Sequence, residues 1–267
     1  MKQKIALVGN PNSGKTTLFN SLTGNNQHIG NWPGVTVEKK EGYLRTNKDI
    51  TIIDLPGIYS LSPYSLEEVI SRDYILKERP DVIINIIDGS NLERNLYLTT
   101  QLIETGVPIV IAINMMDVIT KNKDVIKSDL IGKMFNLPVI EITALKSQGN
   151  DDLINAALDL VRSGYVYRPI LWYSEAIETI ITEISSAIKE LVSQEKLRWY
   201  AIKIFEKDEK VLEEIKINPD IQAKFMAKIE AMEKREDDDS EALIAKERYG
   251  FINRFIAKVY LKNKIKT

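Results

Sequence analysis

The stretch Gly9-Asn10-Pro11-Asn12-Ser13-Gly14-Lys15-Thr16 leaves this chain few folds to choose from. Ahead of it runs Lys4-Ile5-Ala6-Leu7-Val8, apolar and strand-length, and behind it residues 17–23, starting at Thr17, read as a helix closed by Gly24. A glycine-bracketed loop between strand and helix turns successive backbone amides and a helix N-terminus onto one point, as a polyphosphate requires. The spacing predicts a phosphate-binding loop, with Lys15 reaching the β and γ phosphates and the Thr16 hydroxyl ligating magnesium.

The surrounding pattern agrees with that context. From residue 4 to about 162, apolar strands alternate with helical stretches, the signature of a mainly parallel α/β sheet. Six strands are expected, at 5–8, 37–44, 50–53, 82–87, 109–113 and 139–142, with helices at 65–78, 92–104, 125–135 and 151–161. The 37–44 segment is polar and runs into a turn, so it reads as an edge strand antiparallel to 50–53. Beyond Gly164 the spacing turns helical: Ile177, Ile180, Ile181, Ile184, Ile188 and Leu191 share one face. About five helices are expected there, which divides the 267 residues into an α/β domain at 1–165 and a small all-α domain at 166–267.

Composition narrows the function classes. With 44% hydrophobic and 28% charged residues the chain can bury a core, and a net charge of −2 argues against a broad nucleic-acid surface. No apolar run is long enough to span a bilayer. The first strand follows Met1 so closely that no signal peptide is expected. One histidine and no cysteine leave no transition-metal site and no disulfide framework, and point to a reducing compartment.

Two further loops fall at strand ends, where open α/β sheets bind ligands. Asp54-Leu55-Pro56-Gly57 follows the 50–53 strand: the carboxylate is placed to hold magnesium through water and the Gly57 amide to sense a γ-phosphate. Asn114-Met115-Met116-Asp117 ends the 109–113 strand. A carboxylate at Asp117 accepts the paired N1 and exocyclic amino protons of guanine, a donor pair adenine lacks. Asn114 would tie this loop to the phosphate loop, and Thr143-Ala144-Leu145 would complete the base pocket with a backbone amide near Ala144 aimed at the guanine carbonyl.

These motifs resemble the translation-factor-like small GTPases, which implies a Ras-like P-loop domain binding GTP and GDP. Met115 stands where that class usually has lysine, and its thioether side chain offers the base apolar contact without the charge. In the connector, Thr36 occupies the place of the threonine that completes the magnesium shell. The string Asn31-Trp32-Pro33-Gly34-Val35-Thr36-Val37-Glu38, with the phosphate loop and Asp54-Leu55-Pro56-Gly57-Ile58-Tyr59-Ser60-Leu61, is similar to the cytoplasmic N-terminal region of the bacterial ferrous iron transport protein B (FeoB) family. The resemblance covers the whole chain, with Arg198-Trp199-Tyr200-Ala201-Ile202-Lys203 and Glu247-Arg248-Tyr249 fitting the family's helical part.

That resemblance implies a GTPase domain, a helical GDP-dissociation-inhibitor domain, and a polytopic membrane domain not present here, with the protein at the cytoplasmic face of the cell membrane. Self-association is left open and no nucleic-acid partner is implied. Ile58 stands where a Ras-type enzyme has its water-orienting glutamine, so hydrolysis is expected to be slow. The resemblance supplies a substitute, a potassium ion held by Asn12 and by backbone carbonyls near Gly30 and Trp32. The groups expected to act on the γ-phosphate are then Lys15, Thr36, Gly57 and Asn12. The switch loops would be 25–37 and 57–63.

Other residues take plainer readings. His28 is expected as a solvated loop side chain, Trp32 as an anchor for the first switch, Glu67 and Glu68 as first-turn helix charges, and the acidic run 236–239 as a solvated helix start. The alternative function is a soluble GTPase acting on RNA or ribosomes, against which the acidic C-terminal part speaks.

Overall fold

A computed structural model describes residues 2–62, 64–165, 170 and 172–263. In chain order its first elements are β1 (Gln3–Gly9), α1 (Lys15–Thr23), β2 (Gln27–Asn31), β3 (Glu38–Leu44), β4 (Asn47–Asp54), α2 (Leu66–Asp73), β5 (Val82–Asp88) and α3 (Leu92–Glu104). Then come β6 (Ile109–Asn114), α4 (Met116–Lys121), β7 (Val125–Ile126), α5 (Ser128–Phe135), β8 (Val139–Glu141) and α6 (Asn150–Arg162). Five helices and a short strand close the chain: α7 (Glu175–Ile188), α8 (Leu197–Phe205), α9 (Glu209–Glu214), α10 (Pro219–Glu236), α11 (Ser240–Val259) and β9 (Tyr260–Leu261).

The main sheet runs β2-β3-β4-β1-β5-β6-β8. β1 pairs parallel with β4 and β5, β5 with β6, and β6 with β8, while β2 and β3 are antiparallel members at one edge. Strands β5 and β6 are buried along almost their full length, which explains why they read as unbroken apolar runs rather than alternating ones. On one face α1 and α6 close the core through Leu18, Phe19, Leu22, Leu153, Ala157 and Leu158, packed with Ile5, Leu7, Ile52, Ile84 and Val110 of the strands. At about 25 cal/mol per Å² of apolar surface removed from water, such side chains are what hold the phosphate loop's two flanking elements in place.

The sheet has seven strands rather than the six expected. The extra one is β2, cut from the connector, with Gly30 opposite Lys39 and His28 opposite Glu41. Its sequence, Gln-His-Ile-Gly-Asn, is solvated along nearly the whole strand, so it carries no alternation to reveal it. The helix expected at 125–135 is shorter than its spacing suggests. Val125–Ile126 forms β7, paired with Tyr260–Leu261 of β9, and the helix starts only at Ser128. That pairing partner lies more than a hundred residues away, beyond any local pattern. The 65–78 helix ends as α2 at Asp73 and continues as one π-helical turn, Tyr74–Glu78, closed by Arg79 in the left-handed region at φ 48.

Ser65 caps α2: its hydroxyl accepts the Glu68 amide and the Glu68 carboxylate accepts the Ser65 amide, each at 3.2 Å. This reciprocal pair explains Glu68 more fully than the helix dipole alone. Ser65→Ala is expected to lower stability by about 1 kcal/mol, read as a shift in urea midpoint at unchanged slope.

The chain divides into two compact units, one of Met1–Ile103, Val107–Val166 and Phe255–Thr267, the other of Glu104–Gly106 and Tyr167–Arg254. The expected boundary at 166 falls next to residues outside those described. In the second unit α7 buries Ile177, Ile180, Ile181, Ile184 and Ile188, and α8 is buried along its length. A charged network sits at its centre: Arg248 donates to Glu104 at 2.7 Å and to Glu206 at 3.1 Å, with Tyr173 on Glu104 and Lys203 on Glu206. Burial holds the Tyr173 hydroxyl well above the usual phenol range, so it donates to Glu104 as a neutral group. The acidic run does not simply start a helix: α10 ends at Glu236, Asp237 caps it at φ 54, and Asp239 accepts the Ala242 amide of α11. Among the described residues, no group of His, Cys, Asp and Glu side chains is arranged to hold a metal ion, and no helix is long and apolar enough to cross a membrane.

Candidate nucleotide-binding site

The loop from Gly9 to Thr16 joins β1 to α1, and its backbone explains its sequence. Asn12 and Gly14 both have positive φ, 65 and 91. At Gly14 a Cβ would lie 2.1 Å from the Asn114 amide nitrogen, so both conformation and space demand glycine. Asn10 and Ser13 are buried, yet the Asn10 amide and the Ser13 hydroxyl have no partner among the described residues. Buried polar atoms left unpaired in this way cost stability unless a ligand or water meets them. Pro11 lies against the loop after β4, and Thr17, the third residue of α1, is exposed.

Lys15 Nζ stands 2.5 Å from Asp54 Oδ1, and the Thr16 hydroxyl donates to Asp54 Oδ2 at 3.2 Å. The ammonium and the carboxylate are both nearly buried, with side-chain exposures of 10% and 4%. Thr16 and Asp54 offer hard oxygen donors side by side, a set that fits magnesium. The Asp54 carboxylate thus has two roles to share: it neutralises Lys15 here, and it has the chemistry to hold the ion.

The loop after β4 packs tightly on the phosphate loop. The Leu55 amide donates to the Leu7 carbonyl and the Ile58 amide to the Gly9 carbonyl, both at 3.2 Å. A Cβ on Gly57 would meet the Pro11 backbone at 3.1 Å. Ile58 is 1% exposed, a core residue whose side chain is turned away from water. Pro56 offers its carbonyl to Ser71 at the limit of a hydrogen bond. Farther along, the Leu61 amide donates to Gln101 of α3 at 2.6 Å and Arg94 stacks over the exposed Tyr59 ring, contacts that tie this loop to α3. Pro63, expected at the end of the second switch, lies outside the described residues.

Three loops meet at Asn114. Its side chain donates to the Ser13 carbonyl and accepts the Ala144 amide, each at 2.9 Å. The amide expected to face a guanine carbonyl therefore points at Asn114, and the Leu145 amide is the next along the loop. Thr143 is buried and exchanges backbone hydrogen bonds with Gln148, while Leu145 is 81% exposed. Met115 adopts φ 66 and its carbonyl accepts the amides of Val118 and Ile119, which turns the chain into α4. Asp117, in the first turn of α4, holds Val118 N–H at 3.1 Å and the Lys146 ammonium at 3.1 Å. The Lys146 hydrogen bond is the main reason the Asp117 carboxyl lies below the usual carboxylate range.

The first switch is not gathered into this site. Gly30 is paired in β2 with Lys39, the Trp32 carbonyl accepts the Val35 amide in a turn, and Thr36 is exposed. Trp32 itself is buried, edge-on to Tyr74 with Lys39 over its ring, so it anchors the switch. His28 is exposed, in a strand rather than a loop. Of the potassium set, Asn12 is in the phosphate loop, while Gly30 is paired in β2 and the Trp32 carbonyl accepts the Val35 amide, so this arrangement does not bring the three together.

A family profile described as "Ferrous iron transport protein B" matches residues 3–157. The chain belongs to the FeoB family. A second profile, the FeoB cytosolic helical domain, matches residues 173–260. An S. thermophilus NFeoB variant bound to GDP is 45% identical, with a TM-score of 0.91 over 97% of this chain and 99% of that one. NFeoB from the same organism, bound to mGMPPNP, is 44% identical with a TM-score of 0.84 and covers 99% of both chains. The Fe(2+) transport protein A/Fe(2+) transporter FeoB fusion protein of Porphyromonas gingivalis is 38% identical across 96% of this chain. The chain spans between a quarter and a third of the length of the curated FeoB relatives it matches, 32% and 27% for two of them.

Proposed function

We propose that this chain binds guanine nucleotides and hydrolyses GTP to GDP and phosphate, as the regulatory part of a Fe(2+) transporter whose membrane portion lies outside this sequence. The observation that carries the reading is Asn114, which joins the phosphate loop to the third loop and sets Asp117 beside them. A base pocket ending in a carboxylate accepts guanine's two donors and rejects adenine. The Leu145 amide takes the guanine carbonyl, and Met115 supplies apolar contact to the ring. Relatives bound to GDP and to mGMPPNP support the same ligand class.

In the nucleotide-bound state Lys15 leaves Asp54 for the β and γ phosphates. Thr16 and Asp54 would hold magnesium, which would neutralise phosphate charge there. The amides of the phosphate loop, from Gly9 to Lys15, and of Gly57 orient the γ-phosphate, and Thr36 joins when the first switch closes. Ile58, fixed in the core, offers nothing to the attacking water, so intrinsic turnover is slow. We assign the G domain to 1–165 and the helical domain to 166–267, except that the closing Phe255–Thr267 segment groups with the G domain, and place the protein at the cytoplasmic face of the cell membrane.

Potassium stimulation follows only if β2 unpairs from β3 and frees the Gly30 and Trp32 carbonyls to join Asn12. Phosphate release from GTP is expected to rise in potassium chloride relative to sodium chloride at equal ionic strength, and Asn12→Ala to lose that rise. A response that survives Asn12→Ala would remove the potassium assignment and leave the nucleotide site standing.

A further inference from the structure

The geometry points to Lys146 as a competitor of guanine for the Asp117 carboxylate, a residue that sets how readily guanine nucleotide enters and leaves. This rests on the guanine reading of Asp117 above.

Both Asp117 oxygens are engaged: Oδ1 accepts the Val118 amide and Oδ2 faces the Lys146 ammonium, each at 3.1 Å. Guanine presents two donors to that same carboxylate; with the Val118 amide on Oδ1 and Lys146 on Oδ2 they take the lone-pair sites that remain, and on Oδ2 the base competes with the ammonium for the charge of one oxygen. The lysine is held close by its loop. Residues Ala144–Lys146 form a single 3₁₀ turn, ended by Ser147 at φ 56. The turn is fixed by the Ala144 amide on Asn114, by the paired backbone bonds of Thr143 and Gln148, and by Ser147 against Ser21 at 2.6 Å, with Asn150 also on Ser21. A loop pinned at three points keeps the ammonium within reach of Asp117 throughout exchange.

Met115 brings no cation next to Asp117, and the third loop brings one from the other side. A lysine within the base motif covers the ring without blocking the carboxylate, whereas Lys146 bonds the carboxylate itself. It therefore opposes binding instead of supporting it, and recaptures Asp117 as the base departs. Lys146 is 60% exposed at its side chain, so the opposition is mild and falls as salt screens the pair.

The test is calorimetric titration of the full chain with GDP and magnesium, for wild type, Lys146→Met, Lys146→Arg, Asp117→Asn and the Asp117→Asn/Lys146→Met double variant. At low ionic strength Lys146→Met is expected to bind GDP about two- to five-fold tighter, the scale of an exposed ion pair. Lys146→Arg should behave as wild type. The gain should shrink in high choline chloride and vanish in the Asp117→Asn background, where no ion pair is left to break. If Asp117→Asn loses GDP affinity but Lys146→Met is unchanged or weaker, Lys146 does not compete and the guanine reading stands. If Asp117→Asn keeps wild-type affinity for GDP, the guanine reading fails and the competition fails with it.

Discussion

Lys15→Ala is expected to weaken GDP binding by about 10²-fold, the consequence of removing a desolvated cation from the β-phosphate. The variant should also be less stable with no nucleotide present. Lys15 is the cation on Asp54 at 2.5 Å, and its loss leaves a carboxylate at 4% exposure with Thr16 alone donating a side-chain hydrogen bond to it among the described residues. Breaking a buried pair from one side costs about 3–5 kcal/mol. Magnesium without nucleotide should restore part of that stability, since the orphaned carboxylate then has a cation to meet. Urea titrations with and without magnesium check the second effect and calorimetry the first. An unchanged stability would mean that Lys15 and Asp54 are not paired in the empty protein.

Arg248→Ala should destabilise the second unit by about 3–5 kcal/mol. Arg248 and Glu104 are each 2% exposed, and Glu206 is 5% exposed at its side chain. Removing the guanidinium strands the Glu104 carboxylate with Tyr173, and the cavity adds to the loss. Arg248→Met with Glu104→Gln keeps the volume and removes both charges, so it should recover most of the difference, because paired removal of a buried ion pair is often close to neutral. A double variant as unstable as Arg248→Ala would show that the cost lies in packing.

The residues that made the fold legible were those whose burial follows a local period. Val82–Asp88 and Ile109–Asn114 are apolar runs because both faces of the sheet are covered, and Ile177 to Ile188 mark one face of α7. The strands hidden from local pattern are the solvated edge, Gln27–Asn31, and the Val125–Ile126 pairing with Tyr260–Leu261, whose cause is distant in the chain. At the candidate site, Lys15, Thr16, Asp54, Asn114 and Asp117 stand out in sequence because phosphate, magnesium and guanine chemistry would call for these types at this spacing. Lys146 carries no such signature: a lone exposed lysine after Leu145 is ordinary in sequence, and only the turn at Ala144–Lys146 sets it against Asp117. Asn10, buried and unpaired, gained its significance from burial, and sequence spacing gave it no more than a place in the loop.

Calorimetric titration of GDP against ADP, each with magnesium, tests the guanine-nucleotide site most directly. A pocket closed by Asp117 and Asn114 predicts that GDP binds about 10³-fold tighter than ADP or better, because adenine leaves the carboxylate without donors. Equal affinity for the two diphosphates would contradict it: phosphates alone would then hold the ligand, and the loops at Asn114 and Ala144 would not read the base.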